Sequence, residues 1–307
     1  MTDSNWERQT LEKLALAAVQ EQRRARHWGI FFKVLTFVFL FTLLFAALDW
    51  IGPNRALGSH TALIDIQGEI GAEGEVTADN IISSLQAAYD DKHTKGIILR
   101  INSPGGSPVQ AGIINDEIVR QRKLHPKVPV YAVVEDICAS GGYYIAVAAD
   151  KIFVDKASIV GSIGVLMDGF GFTGTMQKLG VERRLMTAGK NKALLDPFSP
   201  VNPEHQAYAQ SMLNEIHQQF IQVVRQGRGQ RLKETPEMFS GLFWVGSKSI
   251  ELGLADGLGS SDSVARDIIK EENIVDFTVR EGLADRFAKR FGATMANQLT
   301  GPALKLH

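Results

Sequence analysis

The chain has 307 residues, 45% of them hydrophobic and 22% charged, an ordinary globular composition with room for one large domain or two small ones. Lys and Arg total 33 against 34 Asp and Glu, and a net charge of -1 gives no chain-wide attraction to phosphate backbones, which disfavours nucleic-acid binding. The single cysteine, Cys138, excludes an internal disulfide and a cysteine-built zinc site.

The first strong signal is apolar. Val34 to Leu48 reads VLTFVFLFTLLFAAL, and only Thr36 and Thr42 are polar. Extended to residues 28–51, the segment reaches the ~20 residues that span a bilayer. Eleven of the fifteen central residues are Leu, Phe or Val, and their insertion gains on the order of 3 to 6 kcal/mol. Lys33 and Asp49 sit near the ends, and Trp28 and Trp50 flank the run as interfacial aromatics do. A buried core helix seldom stays apolar on all faces for this length. A cleaved signal peptide is the closer rival, but residues 1–27 are too long and too acidic for an n-region, and no clear A-x-A site follows. The expectation is an uncleaved anchor. Arg23, Arg24 and Arg26 precede it and only Arg55 closely follows, so the positive-inside rule places residues 1–27 in the cytoplasm and the body outside. Within that arm, residues 8–24 form a plausible short helix.

Strand-like and helix-like stretches then alternate. Ala62 to Ile66 reads as a strand, and Thr77 caps a helix carrying Ile81, Ile82, Leu85 and Ala88 on one face. Gly96 to Ile101 is the next strand and Val109 to Leu124 the next helix. Val128 to Val134, Gly141 to Ala149 and Lys151 to Val154 continue as strand, helix and strand. VERRLMT (181–187) reads as a strand, and a long helix follows Pro203 through Met212, Ile216 and Phe220 to about Arg225. From Asp276 the tail offers one more strand, then an amphipathic helix around residues 283–291. The alternation predicts an α/β fold with largely parallel strands. The expected organisation is a cytoplasmic arm (1–27), a transmembrane helix (28–51), a globular body (58–272) and a C-terminal extension (273–307).

Two turns carry chemistry. Asn102-Ser103-Pro104-Gly105-Gly106 follows the Gly96–Ile101 strand, and a Pro-Gly-Gly turn before a helix leaves backbone N–H groups free to face a ligand, as an oxyanion hole requires. An ordinary strand-to-helix turn has the same residues. In Cys138-Ala139-Ser140-Gly141-Gly142-Tyr143-Tyr144 a serine stands between strand and helix, where the helix N-terminus and the next N–H favour negative charge. This is not the G-x-S-x-G elbow, because Cys138 replaces the first Gly. Ser140 could equally cap the helix, and Cys138 is expected to be a small buried residue.

A base for such a serine is not found among the histidines. His27, His60, His93, His125, His205, His217 and His307 lack triad-like surroundings, and each is expected as a solvated surface side chain. The alternative is lysine, from Thr187-Ala188-Gly189-Lys190-Asn191-Lys192. A lysine acting near neutral pH must fall from about 10.4 to about 7 or 8, at a cost of roughly 4 kcal/mol.

Together, INSPGG, ASGGYYIAVAADKI, VGSIGV, TAGKNK with LDPFSP, and GLFWVGSKSIELGLADGLG resemble, in order and spacing, the signal peptide peptidase A family in its short form (peptidase family S49), over roughly residues 60 to 260. The resemblance implies a crotonase/ClpP-like fold and a Ser-Lys serine protease. Ser140 is the implied nucleophile, Lys192 the base, Ser162 the residue orienting that lysine, and the N–H groups of Gly106 and Gly141 the oxyanion donors. Lys192 is preferred because it stands three residues after the Gly of the A-G pair; Lys190 is the fallback. Some members carry Asp after the lysine where this chain has Ala193. The family further implies a homo-oligomeric ring, Ser and Lys supplied by neighbouring subunits, and substrates that are signal-peptide remnants or other short or unfolded peptides at the outer face of the cytoplasmic membrane. Two other readings are a crotonase-type acyl-CoA enzyme, which has no use for an extracytoplasmic site, and a catalytically inactive peptide-binding scaffold, which has no use for intact Ser140, Ser162 and Lys192. No cofactor and no metal site is expected.

Overall fold

A computed structural model describes residues 3–47, 58–74 and 76–280. The chain divides into two units, one of residues 1–54 with 281–307 and one of Arg55–Arg280. In the first, helix α1 runs unbroken over Asp3–Ala47, so the short arm helix and the apolar segment are one element. Among the described residues it is the one helix long and apolar enough to cross a membrane. The two hydroxyls of its apolar stretch bond back along it, Thr36 Oγ1 to Phe32 O at 2.8 Å and Thr42 Oγ1 to Val38 O at 2.6 Å. That satisfies polar groups which hydrocarbon would leave unpaired. Trp28 packs on Phe31 and Phe32 with ring centroids 5.7 and 5.8 Å away. Residues 48–51 of the expected span lie outside the described residues.

The second unit is an α/β body. Its strands are β1 (His60–Gln67), β2 (Thr94–Ser103), β3 (Val130–Ala139), β4 (Lys151–Val154), β5 (Ile159–Gly161), β6 (Phe243–Val245), β7 (Gly257–Leu258) and β8 (Ile274–Asp276). The main order is β6-β5-β3-β2-β1-β8, with β4 pairing β3 and β7. Every pairing is parallel except β5 with β6. The helices are α2 (Ala78–Asp90), α3 (Pro108–Leu124), α4 (Gly141–Ala146), α5 (Thr173–Lys178), α6 (Pro203–Arg228), α7 (Gly246–Glu251) and the single turn α8 (Ser261–Ser263).

The sheet forks at β3, and the fork sets the site. The first half of β3 pairs with β4 through Tyr131, Ala132 and Val133; the last three residues pair with β5 instead. While β3 advances from Val134 to Cys138, β2 advances only from Ile101 to Ser103, so β3 carries the bulge at which it changes partner. Buried Ser158 pins the bulge: its Oγ donates to Glu135 O at 2.5 Å and accepts from Asp155 N at 2.9 Å.

One sheet face carries the main core. Ile64, Ile66, Ile97, Leu99, Ile101, Ala132 and Val134 pack with Ile81 and Leu85 of α2, Ile114 and Ile118 of α3, Tyr143 of α4 and Val224 of α6, all of them buried. Each fully buried aliphatic side chain contributes about 1.5 to 3 kcal/mol. A smaller cluster of Leu63, Ile98, Val133 and Phe153 on the opposite face is closed by Val264 and Ala265. Helix starts follow the sequence: Thr77 accepts from Asn80 N, Ser107 accepts from Gln110 N ahead of Pro108, and Asn202 accepts from Glu204 N ahead of Pro203.

Two expectations shift. VERRLMT is not a strand, because residues 181–187 are exposed and find no strand to pair with among the described residues. The strand expected from Asp276 lies at Ile274–Asp276 and joins β1 at the sheet edge, so it belongs to the body's sheet. The amphipathic helix around residues 283–291 lies outside the described residues.

Candidate active site

Ser140 stands where β3 turns into α4. Its backbone takes φ 50 and ψ -120, a conformation that side-chain-bearing residues rarely adopt, and its hydroxyl makes no capping bond to the helix. The capping role open to it from sequence is therefore not taken. Although Cys138 replaces the Gly of the G-x-S-x-G signature, the chain builds the same kind of strained strand-to-helix turn with a presented Oγ. Ser140 is half-buried, and its N–H donates to Gly161 O at 2.9 Å. Cys138 is fully buried, and burial pushes its thiol far up, which keeps it protonated and inert, as expected of a small core residue.

The Pro-Gly-Gly turn lies directly against it. Gly105 and Gly106 take φ 106 and 143, and a Cβ on Gly105 would lie 2.7 Å from both Ser140 Cβ and Gly141 N. A Cβ on Gly106 would strike Ile70 O at 2.1 Å. Ile70 locks this turn from the other side, donating to Gly105 O and accepting from Ser107 N, both at 2.8 Å. Ser103, missed as a structural residue in the sequence, sits beneath the turn: its Oγ donates to Gly68 O at 2.6 Å and accepts from Gly105 N at 3.2 Å. The N–H groups of Gly106 and Gly141 have no hydrogen-bond partner among the described residues. Two free donors beside one hydroxyl form an arrangement able to hold an oxyanion.

Ser162 follows β5 with φ 52, so two serines in the site share a left-handed backbone. Its N–H donates to Leu242 O at 2.7 Å, and Gly164 N donates to Ser162 O at 2.9 Å. On α6, His217 Nε2 lies 3.1 Å from Ile163 O. The solvated state expected of every histidine fails in three places: His60 is fully buried, His125 stacks on Tyr89 with centroids 4.6 Å apart, and His217 holds this turn. For His217 the signal was present, since Leu213, Phe220, Ile221 and Val224 stand at helical spacing from it.

Both lysines lie on the exposed stretch before α6. Lys190 pairs with Glu204 at 3.1 Å in a solvent-facing contact. Lys192 is exposed; its backbone N–H donates to Gly189 O at 3.1 Å, but its ammonium makes no ion pair or hydrogen bond among the described residues, so the single chain does not join it to Ser140 or Ser162. The Lys192 loop is nonetheless organised. Phe172 N donates to Pro197 O at 2.7 Å, Phe172 stacks on Phe198 at 5.4 Å, and Arg183 pairs with Asp196 while lying over the Phe198 ring. No residue from Gly164 to Tyr208 is buried, and Leu166 (82% exposed), Phe170, Met186 (94%) and Val201 stand open. Among the described residues no cluster of His, Cys, Asp or Glu has the grouping to hold a metal ion.

A strained serine at a strand-to-helix turn, faced by two free N–H groups, is a geometry of hydrolases that work through an acyl intermediate. The comparisons narrow the class. The model of peptidase family S49 matches residues 122–275, and the chain belongs to that family. A Methanocaldococcus jannaschii protein named as a protease is 33% identical over 214 residues, 69% of this chain and 68% of that one. An Enterococcus faecium protein named for signal peptide peptidase SppA is 32% identical over 202 residues, 66% of this chain and 58% of that one. A Brucella abortus protein named Na(+)/H(+) antiporter NhaA is 47% identical over 217 residues, but the match spans 29% of its length. Among solved structures, a ClpP1 mutant from Listeria monocytogenes matches at TM-score 0.41 and 16% identity, over 65% of this chain and 91% of that one.

Proposed function

We propose that the protein is a membrane-anchored serine endopeptidase with a Ser-Lys pair, in which Ser140 attacks a peptide carbonyl and Lys192 takes its proton. The observation that carries this reading is the Ser140 turn itself: a hydroxyl free of structural bonds, held in a strained backbone beside the free N–H groups of Gly106 and Gly141. The tetrahedral oxygen binds those two N–H groups, the protonated lysine gives its proton to the leaving amine, and water clears the acyl-enzyme. Ser162 hydrogen-bonds the lysine and orients it.

Lys192 comes from a neighbouring copy. In favour of this stand an ammonium with no partner among the described residues and a segment, Gly164 to Tyr208, that buries nothing by itself. Exposed apolar side chains at this density need a covering surface, and a ring of identical subunits supplies one. Packing there also shields the lysine from water. The helix α1 anchors the ring, with residues 1–27 cytoplasmic and the body at the outer face of the bacterial cytoplasmic membrane, where signal-peptide remnants and unfolded peptides collect. The test is peptide cleavage by full-length protein in detergent, comparing wild type with Lys192→Ala and Lys190→Ala. Loss with Lys192→Ala alone is expected; loss with Lys190→Ala alone moves the base by two positions. A folded, assembled wild type that cleaves nothing favours the peptide-binding scaffold.

A further inference from the structure

We propose that His217 is a positioning residue for the peptidase reaction, holding the Ser162 turn from helix α6; this rests on the reading of Ser162 as the group that orients the lysine. The turn is built against its own preference. Ser162 takes φ 52 and Gly161 takes φ 123. A side-chain-bearing residue in the left-handed region is strained, and it persists only where its surroundings over-determine it.

The surroundings divide into two clamps. From β6 and the residue before it, Leu242 O accepts from Ser162 N at 2.7 Å, and Trp244 approaches so closely that a Cβ on Gly161 would lie 2.9 Å from its ring. From α6, His217 Nε2 meets Ile163 O at 3.1 Å. A carbonyl can only accept, so His217 carries its proton on Nε2 and donates. Ile163 is fully buried, which fixes the peptide on one side; the bond from His217 fixes its carbonyl on the other. Among the described residues this is the one side-chain hydrogen bond made to the Gly161–Gly164 turn. Removing it leaves the Ile163–Gly164 peptide held by the Gly164 N–H bond to Ser162 O alone, so a rotation of that peptide is passed to Ser162. The nucleophile would remain in place, because Ser140 N is tied to Gly161 O, upstream of the freed peptide. The effect is therefore on the proton-transfer step and not on peptide binding.

His217 is half-buried on a long helix that is anchored elsewhere by Phe220, Ile221 and Val224, so polar substitutions there keep the fold. The experiment uses the full chain in detergent and measures the acylation rate of Ser140 by a fluorophosphonate probe, with kcat and KM on a fluorogenic peptide. His217→Gln places an amide N–H at the reach of Nε2, and His217→Asn falls short with the same chemistry. The expected result is an acylation rate and kcat about tenfold lower for His217→Asn and His217→Ala, KM unchanged, and recovery to within about threefold of wild type in His217→Gln. The proposal is overturned if His217→Asn acylates like wild type, or if His217→Gln is as slow as His217→Asn at equal assembly and equal Tm. It falls together with the nucleophile reading if wild type takes up no probe, or if Ser140→Ala still takes it up.

Discussion

Ser140 and Gly161 are joined by a 2.9 Å hydrogen bond from the serine N–H to the glycine carbonyl. The bond extends the β3–β5 pairing one step past Ala139 and ends both strands in left-handed serines, Ser140 at φ 50 and Ser162 at φ 52. The fork in β3 thus delivers two hydroxyls to one end of the sheet, each on strained backbone.

Strain at Ser140 predicts a trade between stability and function. Ser140→Gly relaxes a backbone that glycine accepts, and it is expected to stabilise the protein by about 1 kcal/mol, a rise in Tm of about 2 to 4 °C. Ser140→Ala keeps the strain and is expected to leave Tm near wild type. Both lose fluorophosphonate labelling. Calorimetry beside probe labelling checks this, and a Ser140→Gly variant less stable than Ser140→Ala contradicts the strain.

The Pro-Gly-Gly turn admits no side chain. Gly106→Ala combines a φ of 143 with a Cβ 2.1 Å from Ile70 O, so the turn must move away from Gly141. A loss of about 3 kcal/mol in stability and of at least about a hundredfold in kcat is expected, read by thermal unfolding and peptide hydrolysis. Gly112→Ala, where an added Cβ meets nothing, serves as the control.

A buried ion pair holds the end of α6. Arg228 is 1% exposed and bonds Asp256 through both Nη atoms, at 2.7 and 3.0 Å, while its Nε donates to Gly253 O at 2.7 Å. Burial pushes the Asp256 carboxyl up, but the Arg228 bonds and charge outweigh it and hold it below the usual carboxylate range. Arg228→Ala leaves that carboxylate with only Arg231 Nη1 at 3.1 Å and Ile152 N–H at 2.7 Å, and is expected to cost about 3 kcal/mol. A lowered folded-state pKa gives stability that is present above the ordinary carboxylate pKa and lost as pH falls through the lowered one. The stability gap between wild type and Arg228→Ala should therefore be full at pH 7 and narrow below about pH 4. A gap that widens in acid contradicts the assignment.

Much of the body was legible because periodicity reports burial. Lys151–Val154 appears where its apolar run placed it, and Thr77 caps α2 through its own side chain. The stretch from Gly164 to Asn202 was not legible, because its apolar residues answer to no core among the described residues. VERRLMT reads as a strand from Val181, Leu185 and Met186, but no neighbouring strand among the described residues pairs it. The two motif turns were visible as separate turns, whereas their contact depends on the β3 bulge, which no local pattern signals. His217 was read as surface because its helix is polar overall; only its register with Phe220 and Val224 distinguishes it.

The central claim is that Ser140 and Lys192 act together across two copies of the chain, and complementation tests it most directly. Full-length Ser140→Ala and Lys192→Ala proteins, each inactive alone, are dissociated, mixed in equal amounts and reassembled. If each site takes its serine from one copy and its lysine from the next, about one site in four regains both groups, and about a quarter of wild-type peptide cleavage returns. A mixture that assembles and stays inactive, while wild type carried through the same cycle recovers, contradicts the shared site.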